Sequence, residues 1–109
     1  MSYALHWHEK AEDDLMGIAK YVAWRFGRTA AEKAVRKIKD DVAVLAGNPF
    51  VGIKSSAERH DGIVYRILYL KRNKIVYTII DNSIYILAVF DNRRNPADID
   101  ILVTERSKQ

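Results

Sequence analysis

The segment from Gly62 to Pro96 contains three apolar runs, at residues 63–70, 75–80 and 83–90, and they constrain the fold more than any other feature. The runs are rich in Ile, Val and Tyr, whose branched or aromatic side chains pack well on a pleated surface. The breaks between them are short and polar. One break is the pair Asp81-Asn82, which suits a tight hairpin turn because both residue types tolerate left-handed dihedral angles. The segment therefore predicts three strands joined as an antiparallel meander.

Neither face of the predicted meander is polar, because apolar side chains fill both the even and the odd positions of each run. An antiparallel sheet with one face in water alternates apolar and polar residues, so both faces of this sheet require cover. Arg66 is the one charged residue within the three runs. Its guanidinium needs a carbonyl or carboxylate partner, or an anionic ligand at an opening to solvent, and the sequence leaves both interpretations open.

The N-terminal part of the chain predicts a strand and then a helix. Residues 3–7 alternate large apolar with smaller or polar residues, as a short strand does. From Glu9 the apolar residues recur at helical spacing, and Gly27 is expected to end that helix. The apolar face predicted for this helix comprises Ala11, Leu15, Ile18, Val22 and Phe26.

A second helix is predicted directly after Gly27. Thr29 and Glu32 match a capping box at its start, and Gly47 and Pro49 are expected to stop it. Its apolar face comprises Ala31, Val35, Ile38, Val42 and Leu45. Two helices with so short a link fold as an antiparallel hairpin, which can cover one face of the sheet.

The remaining segments complete one domain. Residues 50–61 show no periodicity and predict a loop long enough for a role in binding. Asn95 before Pro96 marks the start of a short C-terminal helix, whose apolar anchors are Ile99, Ile101 and Leu102. The sequence thus predicts a single α+β domain over residues 1–109: an N-terminal strand, an antiparallel helical hairpin, a three-stranded antiparallel meander and a short C-terminal helix.

Composition narrows the function classes. A net charge of +4, spread evenly along the chain, is modest for a dedicated duplex-DNA binder and allows weak phosphate attraction or an acidic protein partner. The chain has no cysteine, no bilayer-spanning apolar segment and no signal-peptide core near its start, so a cytoplasmic location without membrane contact is expected. No metal or cofactor is expected, because His6 and His8 lack a third ligand nearby in sequence and His60 stands by itself. The roles of these histidines stay open.

Arginine chemistry is the remaining candidate for function. Arg66, Arg93 and Arg94 can converge if the middle of one strand lies near the end of another, and clustered guanidinium groups bind phosphate or carboxylate. The same groups could stabilise a pentacoordinate phosphate during RNA cleavage. The alternative is that Arg93 and Arg94 bond loop carbonyls or nearby carboxylates such as Asp98 and Asp100.

Aromatic residues near the N-terminus are predicted to pack between helix and sheet rather than to form a base-stacking platform. They are Trp7, Tyr21, Trp24 and Phe26.

Several motifs together resemble the RelE/ParE toxins of bacterial type II toxin–antitoxin systems. They are Ala11-Glu12-Asp13-Asp14-Leu15, Asn48-Pro49 followed by Gly52, Tyr65-Arg66-Ile67, and the closing stretch from Ile86 to Pro96. The match covers nearly the whole chain in the right order. It implies a compact α/β fold, a cytoplasmic toxin, and a cognate antitoxin that wraps and neutralises it. An acidic antitoxin segment is expected to fold onto the apolar surface that one helical hairpin leaves uncovered.

The resemblance implies two activities, either of which suits the fold. RelE-like members cleave mRNA on the ribosome without metal, with Arg66 matching an arginine that these nucleases carry. ParE-like members, the plasmid-stabilisation branch, poison DNA gyrase through protein contacts. Asp91 stands where many relatives place histidine, and no Tyr or His follows Pro96, so a proton shuttle is missing.

The expectation is therefore a ParE-like gyrase inhibitor that is not an enzyme and does not itself bind a specific DNA sequence. In that case Arg66, Arg93 and Arg94 are the candidate target-binding residues. The alternative is an endoribonuclease acting with the ribosome on mRNA, for which the candidate catalytic residues are Arg66, Arg93, Arg94 and Asp91. An inert relative that only binds its partner is the third hypothesis.

Overall fold

The computed structural model describes residues 2–55, 62–93, 95 and 97–107. In chain order the elements are β1 (Ala4–Trp7), α1 (Glu9–Phe26), α2 (Arg28–Ala43) followed by a 3-10 turn (Val44–Ala46), β2 (Ile53–Lys54), β3 (Tyr65–Tyr69), β4 (Asn73–Ile80), β5 (Ser83–Asp91) and α3 (Ala97–Ser107). The predicted α+β class, helical hairpin, meander and C-terminal helix are confirmed, but the prediction of Ile101 as an anchor of that helix is wrong, because Ile101 is 62% exposed and Val103 is buried.

The strands form one sheet in the order β1-β5-β4-β3-β2. The meander β3-β4-β5 is antiparallel, and β1 pairs with β5 in parallel, with Leu5 opposite Ile84. The prediction of a loop is wrong at Ile53 and Lys54, which pair antiparallel with β3 as a two-residue edge strand. Two residues are too few to show a periodicity of two, so their pairing with the β3 edge left no signal in the sequence.

Each face of the sheet is covered by a different helical element. The α1–α2 hairpin packs on one face, and the buried residues there are Ala11, Leu15, Ile38, Val42, Leu45, Ile75, Tyr77, Ile84, Ile86 and Val89. Helix α3 packs on the other face, where the buried residues are Tyr65, Val76, Leu87, Ala88, Phe90, Ile99 and Val103. This arrangement explains why both faces of the meander are apolar in sequence.

The link between α1 and α2 is a single glycine. Gly27 has a φ of +93°, a conformation that side-chain-bearing residues rarely adopt, and both helices begin or end beside it. The predicted capping box is wrong, because α2 starts at Arg28 without a side-chain cap and places Thr29 inside the helix. Glu32 instead accepts a hydrogen bond from Arg28 Nε at 3.1 Å.

A β-bulge alters the outer part of β5. Tyr77 lies opposite Ile86, whereas Val76 lies opposite Ala88, so Leu87 is the extra residue on β5. Strand β1 extends along β5 only as far as Ile86, and the rest of β5 continues beyond it. The outer backbone groups of that continuation need partners from elsewhere.

Candidate functional site

Arg66 lies on β3 opposite Tyr77, and its guanidinium binds the loop that follows α2. Its Nη1 donates hydrogen bonds to the carbonyl oxygens of Gly52 at 2.8 Å and Phe50 at 3.2 Å. The guanidinium carbon also lies 5.1 Å from the centre of the Phe50 ring, within the range of cation–π attraction. Carbonyl oxygens therefore satisfy Nη1, as in one of the two interpretations that the sequence left open, and binding of an anion by the guanidinium stays a prediction.

Tyr77 fixes the same loop from the sheet side. Its buried hydroxyl donates to the Pro49 carbonyl at 2.8 Å and accepts from the Gly52 amide at 2.9 Å. Burial raises the pKa of this hydroxyl above its ordinary value, against smaller opposing effects of the Gly52 amide and the Arg66 charge. The Tyr77 hydroxyl therefore stays protonated and donates its hydrogen bond to the Pro49 carbonyl oxygen.

Arg93 and Asp91 form an exposed ion pair at the end of β5. The Arg93 Nε lies 3.0 Å and its backbone nitrogen 2.8 Å from Asp91 Oδ1, and its Nη2 lies 3.3 Å from Oδ2. The side-chain hydrogen bond from Arg93, with its backbone one, holds the pKa of Asp91 below its ordinary value. The same contact raises the pKa of Arg93. Asp91 is thus an anion at neutral pH with no proton to donate.

The register of the sheet separates the candidate arginines. Arg66 of β3 is opposite Tyr77 of β4. Asp91, the partner of Arg93, is on β5 at the other side of β4, opposite Asn73, which is four residues from Tyr77. At about 3.3 Å per residue, the two positions are roughly 13 Å apart along β4 before the strand spacings are added. Arg94 lies outside the described residues. The target-binding roles of these arginines stay predictions.

A groove of about 570 Å³ opens on the sheet face that carries α3, beside the C-terminal end of that helix. Its lining includes His6 and Tyr85, whose rings stack with centres 4.9 Å apart, and the exposed side chains of Val64 and Ile80. We call this surface the sheet groove. Because α3 covers only part of its face, the sheet groove is the apolar area that remains open.

A partly buried ion pair joins the first helix to the last. Arg106 of α3 donates to Asp14 of α1, with Nη1–Oδ2 at 2.8 Å and Nη2–Oδ1 at 3.3 Å. Asp14 Oδ2 also accepts the Val89 amide at 3.0 Å, and Arg106 donates to the Leu87 carbonyl at 2.6 Å. The two side chains thereby satisfy backbone groups of β5 beyond the end of β1. This contact was not predicted from the sequence, although a carboxylate at Asp14, between the core residues Ala11 and Leu15, indicates a buried partner.

The aromatic residues of α1 contradict the prediction that they pack between helix and sheet. Trp24 is 78% exposed, Phe26 65% and Tyr21 53%. The core cluster on the hairpin side includes residues of α1 no further along than Ile18, so the last two turns of the helix do not pack on the sheet. Trp7, by contrast, packs against that cluster as predicted.

Two of the three histidines, His6 and His8, lie in the part of the chain that the structure describes. His8 lies beyond β1 and caps α1, its Nδ1 accepting the Lys10 amide at 3.0 Å. Within the described ranges no three His, Cys, Asp or Glu side chains are grouped to hold a metal ion. His60 lies outside the described residues.

Among the described residues no helix has the length and apolarity to cross a membrane.

Comparison with known proteins places this geometry in a family context. A family model described as "ParE toxin of type II toxin-antitoxin system, parDE" matches residues 5–96. A solved structure described as a chromosomal ParDE toxin–antitoxin system from P. aeruginosa is 26% identical, with a TM-score of 0.69 over 83% of this chain and 96% of that chain. A search of curated protein sequences finds no match.

Two more distant structures share the fold. The E. coli toxin RelE, in the free state and with two arginines replaced by alanine, is 18% identical with a TM-score of 0.55 over 99% of this chain and 97% of that chain. The RelBE2 toxin–antitoxin complex from Mycobacterium tuberculosis is 15% identical with a TM-score of 0.51 over 84% of this chain and 100% of that chain.

Proposed function

Because the chain belongs to the ParE toxin family of type II toxin–antitoxin systems, we propose that it inhibits DNA gyrase by protein–protein contact and that a cognate antitoxin neutralises it. Gyrase acts on chromosomal DNA, so the proposal places the toxin in the cytoplasm. The toxin needs no cofactor for this action, since it works by occupying a surface of its target.

The Asp91–Arg93 ion pair is the observation that supports target binding over RNA cleavage. Acid–base cleavage of RNA needs a group that gives or takes a proton near pH 7 beside the phosphate. Asp91 stands at the position considered for that role, and Arg93 lowers its pKa, which makes it a poorer acid and a weaker base. Arg66, the candidate for binding the phosphate, already donates from Nη1 to two carbonyl oxygens, which ties part of its guanidinium to the loop.

Two observations support neutralisation by an antitoxin. Two of the similar structures are of toxin–antitoxin systems, ParDE and RelBE2. The sheet groove also leaves Ile80 54% and Val64 47% exposed on one open face, and exposed apolar patches commonly mark partner sites. We infer that an acidic antitoxin segment folds onto this groove.

Two assays with purified wild-type toxin test the proposed target. We expect inhibition of gyrase supercoiling in the first, and no mRNA cleavage when the toxin is added to translating ribosomes in the second. Codon-specific cuts in mRNA would overturn the proposal. If Arg66→Ala then reduced the cleavage rate by a factor of about a hundred to a thousand, Arg66 would be catalytic.

A further inference from the structure

The end of the helical hairpin carries a cluster of exposed aromatic side chains. We call residues 20–28 the hairpin tip. Its Tyr21 and Trp24 rings lie 6.5 Å apart at an interplanar angle of 50°, and the Arg25 guanidinium carbon lies 5.9 Å from the Trp24 ring and 5.8 Å from the Phe26 ring. Trp, Tyr and Arg are the residues most enriched at energetic centres of protein interfaces. The Trp24 indole is 78% exposed, so most of its surface is open to a partner.

The charge of the hairpin is divided between its two ends. The tip contains Lys20, Arg25 and Arg28 and no acidic residue, whereas the first turns of α1 contain Glu9, Glu12, Asp13 and Asp14. Arg28 pairs with Glu32, but within the described residues Lys20 and Arg25 make no ion pair. The tip is therefore a basic surface with aromatic side chains at its centre, and it complements an acidic surface.

A shallow groove adjoins the tip and shares Lys20, Ala23 and Arg28 with it. It has a volume of about 540 Å³ and lies between the two helices. Its lining combines small side chains, such as those of Ala19 and Ala23, with four charged ones: the basic Lys20, Arg28 and Arg36 and the acidic Glu32. A segment of a partner that contacts Trp24 can thus extend into a groove whose lining carries three positive side chains and one negative one.

A protein partner fits these observations better than a nucleic acid. The Arg25 guanidinium already lies over the Trp24 and Phe26 rings, and it competes with a base for the same aromatic faces. A polyanion long enough to follow α1 would also meet the acidic residues at the start of that helix. An acidic protein surface of limited size meets only the tip.

We propose that this toxin binds its protein target through the hairpin tip, and that the target presents an acidic patch to the tip. The inference rests on the proposed function in that it takes the target to be gyrase. It assigns target contact to Trp24 and Arg25 rather than to Arg66 and Arg93, and it separates that contact from the sheet groove on the opposite side of the sheet.

Single substitutions in the tip test the inference. Trp24→Ala and Arg25→Gln should each raise the toxin concentration needed for half-inhibition of gyrase by a factor of about ten or more, as for a residue central to an interface. Ile101→Ala removes a 62% exposed apolar side chain from α3, and Lys10→Gln removes one positive charge from the other end of α1. These matched controls should change half-inhibition less than twofold, and thermal unfolding should show that all four variants are folded.

Each outcome separates this inference from the proposed function. If wild-type toxin inhibits gyrase and the tip variants inhibit equally well, the inference is overturned and the proposed function stands. If wild-type toxin leaves gyrase active, the proposed function fails, and growth arrest after induction becomes the readout. If Trp24→Ala and Arg25→Gln then no longer arrest growth, the tip is supported as the target contact. If both variants arrest growth as the wild type does, the inference is overturned. If the wild type bound DNA or RNA oligonucleotides and both variants lost that binding, the tip would be a nucleic-acid surface. That result would also overturn the inference.

Discussion

At the scale of single residues, Gly52 lies directly against the Tyr77 ring in the loop that follows α2. A Cβ atom at Gly52 would lie 2.6 Å from the Tyr77 hydroxyl oxygen and 2.7 Å from its Cε1. Gly52→Ala should therefore destabilise the fold by about 1–3 kcal/mol through overpacking. Urea unfolding measures the change.

Gly17 provides the matched control for that substitution. It lies within α1, and a Cβ atom there would meet nothing within 4 Å. Gly17→Ala should stabilise the fold by roughly 0.5–1 kcal/mol because alanine restricts the unfolded chain more and favours a helix. If both alanine variants shifted the urea midpoint in the same direction, the close approach at Gly52 would not explain its effect.

The pH dependence of stability should report the buried hydroxyl of Tyr77. Its pKa is raised in the folded state, so its contribution is fully present below the unfolded value of about 10 and is lost as pH rises through the folded value. Tyr77→Phe should be less stable at neutral pH, by about 1–3 kcal/mol, because the Gly52 amide and the Pro49 carbonyl lose their buried partner. Above pH 10 the wild type should lose stability faster than the variant. Parallel pH profiles for the two proteins would contradict the assignment.

The partner of Arg66 shows what residue-level reasoning from sequence can and cannot reach. An arginine inside an apolar strand must have a partner, and that requirement could be stated from the sequence. Its identity could not, because the Gly52 carbonyl lies 14 residues earlier in the chain and reaches Arg66 only through the folding of the loop. The chemistry of the arginine side chain predicts that a hydrogen-bond acceptor is present, and the tertiary structure determines which group that acceptor is.

At the scale of elements, the Asp14–Arg106 ion pair should anchor α3 to the rest of the fold. Its side chains are only 19% and 12% exposed, and each also bonds the backbone of β5. Hydrogen bonds to charged groups contribute about 1.5–3 kcal/mol each, so Arg106→Ala should lower stability by an amount in that range or above. A double-mutant cycle with Asp14→Ala isolates the coupling between the two residues.

The exposed Lys37–Asp41 pair is the control for this cycle. Its Nζ–Oδ2 distance is 3.3 Å, with the lysine side chain 71% exposed, so its coupling energy should stay near 0.3–0.5 kcal/mol. Amide exchange at Val89 should accelerate in Asp14→Ala because that amide loses its acceptor. Equal coupling energies for the two pairs would mean that Asp14 and Arg106 do not hold α3 in place.

Element boundaries show why the sequence predicted the core well and the hairpin tip badly. Helical periodicity identified the buried faces of both helices, because the core selects apolar residues at that spacing. The same periodicity extends to Phe26, which is exposed, since a pattern along one helix contains no information on where the sheet beneath it stops. The parallel pairing of β1 with β5 escaped prediction for the same reason: it is a relation between distant segments.

At the scale of the whole molecule, the two surfaces proposed for binding lie on different sides of the sheet. The hairpin tip belongs to the helical hairpin on one face, and the sheet groove opens on the face that carries α3. Occupation of one surface therefore need not block the other sterically. An antitoxin in the sheet groove would have to extend around the sheet, or prevent target binding by another contact, in order to neutralise the toxin.

This arrangement predicts that binding of the antitoxin and toxicity can be separated by mutation. Ile80→Asp places a charge in the sheet groove at a 54% exposed position, so it should weaken binding of the cognate antitoxin by tenfold or more without unfolding the toxin. Val51→Asp adds the same charge at a 57% exposed position of the loop and should bind normally. Calorimetric titration measures both affinities, and growth assays should show that Ile80→Asp still arrests cells but is no longer rescued. If Ile80→Asp bound the antitoxin as tightly as Val51→Asp does, the antitoxin would have to be assigned to another surface, and the hairpin tip would be the next to examine.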